Sequence, residues 1–112
     1  MDNITHLDLS NLRENSMGDE SFVQEMIELF IKRGAERLEQ LKNELSSDTN
    51  ELWVSHSHAL KGMAANIGAP YLRELCAQAQ LMENNDPYAR NEIFKRIESE
   101  YNIVVDELKN TI

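Results

Sequence analysis

With 112 residues, 41% of them hydrophobic and 28% charged, the chain holds enough apolar mass for one core and one domain, here taken as residues 1–112. Its net charge of −9, from 11 basic and 20 acidic residues, argues against nucleic acid and against anionic lipid as partners. The sequence has no apolar run near the ~20 residues of a membrane span, no secretory signal in MDNITHLDLS and only one cysteine, Cys76, and so predicts a soluble cytoplasmic protein.

In chain order, Leu7, Leu9 and Leu12 predict a short helix or turn-rich arm, with Asp8 or Ser10 as its cap. His6 in this arm reads as a solvated side chain. Gly18 breaks the pattern, and Asp19 is placed to cap the next helix. From Glu20 to Leu45 a long helix is expected, with Phe22, Met26, Leu29/Phe30, Leu38, Leu41 and Leu45 recurring at three and four. Val23, Ile27 and Ile31 form a second, shorter stripe, which is either covered by the N-terminal arm or left as a docking surface. Gly34 interrupts good helix formers at a cost of about 1 kcal/mol and is a candidate for a close helix crossing.

Asp48 and Glu51 have capping-box spacing before a helix expected over residues 49–66, closed by Gly68 as a left-handed cap. Pro70 then suits the first turn of a helix with Leu72, Leu75/Cys76, Ala79 and Met82 as its apolar stripe. Asp86-Pro87 repeats the cap-then-proline start, and Phe94, Ile97, Tyr101, Val104 and Leu108 run at three and four to the end. No stretch alternates as a strand should. The expected fold is all-α, an antiparallel up-down-up-down four-helix bundle with a short N-terminal extra helix.

The stretch His56–Ala69, HSHALKGMAANIGA, carries the chemistry. On a helix advancing about 100° per residue, Lys61, Gly62 and Ala65 fall within about 60° of His58, while Leu60, Met63 and Ile67 fall on the opposite side. One face thus presents an imidazole, an ammonium and almost no side-chain bulk. A mid-helix glycine costs stability, so Gly62 reads as steric clearance for a group approaching His58. Lys61 is one turn from His58 and can sit beside a dianionic adduct. Imidazole is substantially neutral and nucleophilic near pH 7. With no acid–base pair or metal cluster beside it, the arrangement suits a phosphoryl carrier whose partner supplies the electrostatic clamp. His56 falls about 160° from His58 and reads as a core-edge group, which leaves the H-x-H pair unsuited to metal.

Residues 58–69, HALKGMAANIGA, resemble the signature of histidine-containing phosphotransfer (HPt) domains, and the following LRELCAQAQLME resembles that family's next helix. The resemblance matches His58 to the phosphoacceptor, Lys61 to the lysine near the phosphate, Gly62 to the glycine that keeps the site open and Gly68 to the one ending the helix. Met63 stands where the family commonly has serine or another small residue. By this resemblance, His58 passes phosphoryl groups between aspartates on receiver domains of response regulators and hybrid sensor kinases. The chain would have no ATP-dependent kinase activity and no cofactor of its own, with Mg²⁺ on the partner, and would act as a monomer. Val54 and Ala65 near the histidine, with Ile27, Ile31 and Lys32 on the first long helix, are the expected docking residues. The competing readings are a pure interaction module and a domain excised from a hybrid sensor kinase; the start at Met1 mildly favours a free-standing protein.

Overall fold

The fold is closed by Tyr101, whose hydroxyl donates to the Ile31 carbonyl oxygen at 2.5 Å and joins the last helix to the first long one. The structure, a computed structural model, describes residues 4–83 and 85–111. Its helices are α1 (Ser10–Asn15), α2 (Glu20–Lys42), α3 (Glu51–Ile67), α4 (Pro70–Gln80) and α5 (Pro87–Lys109). The long elements pack in a ring, α2 on α3, α3 on α4, α4 on α5, and α5 back on α2. This is the expected antiparallel bundle, with α1 packed on α2 as the extra helix.

Several ends form as their sequences predict. The Asp19 carboxylate accepts the Phe22 N–H at 3.1 Å, and Asp86 accepts the Tyr88 N–H at 3.0 Å with Pro87 opening α5. Gly68 closes α3 at φ +91°, with its N–H and that of Ala69 both bonded to the Ala64 carbonyl. A second constraint also holds glycine there: the Asp8 N–H donates to the Gly68 carbonyl at 2.7 Å, and a Cβ at 68 would collide with the Asp8 carbonyl oxygen. The Asp48–Glu51 capping box does not form. Asn50 precedes α3 without capping it, because its side-chain amide donates to the Met82 carbonyl and its oxygen accepts from Arg90.

The phase of α2 differs from the sequence expectation along its first half. Val23, Ile27 and Phe30 are buried with Gly34, Leu38 and Leu41, whereas Phe22 and Leu29 are exposed. Val23 and Ile27 of the shorter stripe are core there, joined by Phe30 of the longer one, while Ile31 is only half-buried. On α5 all of Phe94, Ile97, Tyr101, Val104 and Leu108 are buried, as expected. Gly34 does mark a close crossing, against Tyr101. Met82 lies beyond the end of α4 and is only partly buried against the core.

Two polar clasps hold the ring. The Trp53 indole N–H donates to the Ala79 carbonyl at 2.9 Å, joining α3 to α4. Arg90, fully buried, donates to the carbonyls of Glu44, Ser47 and Thr49 and to the Asn50 side chain, with its guanidinium 5.2 Å from the Trp53 ring centroid. One cation thereby pins the whole α2–α3 connection, its charge answered by carbonyl dipoles and an aromatic face. His6 is half-buried and paired rather than freely solvated: its Nδ1 lies 2.6 Å from Oε2 of Glu100, whose side chain is buried, and its ring meets Tyr71 edge-on.

Candidate functional site

α3 buries Trp53, Ser57, Leu60, Ala64 and Ile67, spaced four and three apart, and this fixes which side of the helix faces outward. His58 is consequently exposed, on the opposite side from Leu60. Gly62 and Ala65 are also exposed, and Lys61 and Val54 are half-buried. The structure thus brings His58, Lys61, Gly62, Ala65 and Val54 to one face.

The reason for glycine at 62 can be separated from ordinary packing. A Cβ there would meet nothing within 4 Å, so no neighbouring helix demands its absence. The clearance is directed outward, toward whatever approaches His58. The charge of Lys61 is felt at Cys76 on α4. That thiol is buried in the core and pushed up to about 12 by desolvation, against the opposing pull of Lys61. It is therefore a packing group and not a second nucleophile.

On the other flank, α2 and α3 enclose an open groove of about 580 Å³ beside the His58 neighbours Ala59 and Met63. Leu29, Lys32, Arg33 and Arg37 supply most of its α2 wall. Met63 has a double role, half-buried against the core and lining this groove. Its bulk lies beside the site without covering Gly62, so the substitution of a larger residue here leaves the approach open.

His56 lies at the core edge, as the sequence predicts. Its Nδ1 is 3.0 Å from Arg37 Nη1, which donates to it and ties α2 to α3. Burial and then the Arg37 charge hold this imidazole below its ordinary value, with Glu44 pulling the other way. The ring is a neutral acceptor and its nucleophilic lone pair is occupied. Among the described residues no three metal-ligating side chains converge.

The docking residues expected on α2 need correction. Ile27 is fully buried, because the face carrying it is the one turned into the bundle. Ile31 is half-buried against the core, at the point where α5 is bonded to α2. The α2 surface beside the site is the expected Lys32 together with Leu29 and Arg33, all exposed, and half-buried Arg37. The signal for it was present as KRGAER, three cations in six positions of an acidic chain.

The family model for the Hpt domain matches residues 25–110. The phosphorelay intermediate protein rdeA of Dictyostelium discoideum is 28% identical over 104 residues, covering 88% of this chain. The chain spans 41% of the length of that relative. Histidine-containing phosphotransfer protein B (HptB) of Pseudomonas aeruginosa PAO1 has the same fold, with a TM-score of 0.84 at 24% identity, covering 95% of this chain and 93% of that one.

Proposed function

We propose that this chain, which belongs to the Hpt domain family, relays phosphoryl groups between receiver-domain aspartates through a phosphohistidine at His58. The observation that carries the assignment is an exposed imidazole beside a glycine whose side-chain direction is empty. In the first half-reaction Nε2 of neutral His58 attacks the phosphorus of an aspartyl phosphate. The N–P bond forms as the bond between phosphorus and the bridging aspartyl oxygen breaks, and the aspartate leaves as a free carboxylate. Nδ1 keeps its proton or yields it to solvent. The second half-reaction is the reverse, with another receiver's carboxylate as the attacking group.

Lys61 supplies a positive charge beside the dianionic adduct, and Gly62 leaves room for the phosphoryl group and the partner's backbone. The divalent cation that neutralises developing charge is the partner's. In this reading the chain is a carrier without ATP-dependent kinase activity. It acts in the cytoplasm as a monomer and takes response regulators and hybrid sensor kinases as partners. No helix among the described residues is long and apolar enough to cross a membrane.

The test is transfer from a receiver domain phosphorylated with acetyl phosphate. The wild-type chain and His56→Gln should acquire the phosphoryl group and His58→Gln should not. Labelling that persists in His58→Gln would overturn the assignment.

A further inference from the structure

We infer that Arg37, held in place by His56, is a specificity-determining residue that receives an acidic side chain from the rim of the receiver during transfer to His58. The inference rests on the phosphorelay reading and extends it from the reacting atoms to the flank of the site.

One guanidinium N–H is committed to His56 Nδ1 at 3.0 Å, so the planar fork has a fixed orientation. Arg37 also lines the α2–α3 groove, where Lys32 and Arg33 outnumber the one lining carboxylate, Glu36, and Ala59 and Met63 form the α3 side. Ala59 follows His58 directly and presents only a methyl group, so no bulk from that position stands between the imidazole and this wall.

Charge then identifies the occupant. Three of the chain's eleven Lys and Arg residues fall between positions 32 and 37, against the single carboxylate of Glu36. In a chain of net charge −9, this cluster is a local positive patch beside the site that attracts an acidic group. The partner in the proposed reaction must be acidic around its reacting group, because a divalent cation bound beside an acyl phosphate is held by carboxylates. A carboxylate on that rim can take the remaining N–H groups of Arg37 as a planar pair.

His56 acts through Arg37 and is a positioning residue. Burial and the neighbouring guanidinium keep its ring neutral, so its lone pair remains available to orient the fork.

The test is single-turnover transfer over a range of concentrations of an acetyl phosphate-charged receiver domain that labels the wild-type chain. Arg37→Gln should raise the half-saturating receiver concentration about tenfold while leaving the saturating rate within about twofold. Arg37→Lys should recover little of this loss, since a point charge lacks the fork. His56→Gln keeps an acceptor oxygen and should stay near wild type, whereas His56→Leu should shift toward Arg37→Gln. Thermal melts of each variant establish that the bundle is intact. An unchanged half-saturating concentration in Arg37→Gln, or a loss confined to the saturating rate, would overturn the inference while His58 labelling left the phosphorelay reading standing. Failure of every charged receiver to label even the wild-type chain would overturn both.

Discussion

Gly34 and Tyr101 meet where α2 crosses α5, so closely that a Cβ on residue 34 would stand 2.5 Å from Tyr101 Cε1 and 3.1 Å from its hydroxyl oxygen. The ring cannot easily move aside, because its hydroxyl is bonded to the Ile31 carbonyl and it packs on Phe30 with ring centroids 5.6 Å apart. Gly62, on the next helix, has nothing within 4 Å of the same direction. Two helical glycines therefore exist for opposite reasons, one for a neighbour inside the molecule and one for a visitor outside it.

Alanine at each position separates the two roles. Gly34→Ala should destabilise the bundle by about 1–3 kcal/mol through overpacking, which exceeds its gain in helix propensity. Gly62→Ala should stabilise it by about 0.5–1 kcal/mol. Urea unfolding followed by circular dichroism measures both. A bulkier Gly62→Leu should keep the fold and block transfer, and unchanged transfer kinetics in that variant would refute the clearance argument.

Lys61→Gln should fold normally, since the side chain is half-exposed and outside the core. Phosphoryl transfer should slow by about tenfold, the scale of one charge-assisted contact weakened by solvent. Quench-flow with a phosphorylated receiver reads the rate, and a wild-type rate and adduct lifetime would remove Lys61 from the site.

Alkaline pH should reveal the α2–α5 clasp. Burial pushes the Tyr101 phenol up to about 12, while its backbone hydrogen bonding pulls in the opposite direction. An acid raised in the folded state stabilises the fold fully below the unfolded value near 10. That contribution is lost as pH rises from about 10 toward 12. Absorbance at the phenolate band should show one of the three tyrosines ionising late and together with unfolding. Full phenolate formation in a still-folded chain would contradict the burial of Tyr101.

Arg90→Leu should cost on the order of 3 kcal/mol, because it strips donors from the carbonyls of Glu44, Ser47 and Thr49 at once. The loss should be accompanied by faster amide exchange across residues 44–50. Stability within experimental scatter of wild type would show that water replaces the guanidinium without penalty.

Helix count, the Asp19 and Asp86-Pro87 starts and the Gly68 stop were legible because each is decided within one turn of chain. So was the outward face around His58, since α3 carries a single apolar stripe. The phase of α2 was not. Phe22 and Val23, Met26 and Ile27, and Leu29 and Phe30 are adjacent apolar pairs, and either member satisfies helical periodicity. Which one is buried depends on the angles at which α3 and α5 arrive, a property of the assembled bundle. The same holds for His6 with Glu100 and for Arg90 with the α2–α3 connection, whose partners lie 94 and 40–46 residues away. Arg37 belongs to the same class: its place on the groove wall beside Lys32 follows from the phase of α2 and from its bond to His56, 19 residues away.

The most direct measurement is ¹⁵N and ³¹P NMR of histidine-labelled chain after incubation with a phosphorylated receiver. One ring nitrogen of His58 should shift and couple to phosphorus, in an adduct that acid destroys and base spares, while the His56 resonances stay in place. A His58 ring left unchanged while phosphorus appears on another residue would contradict the account.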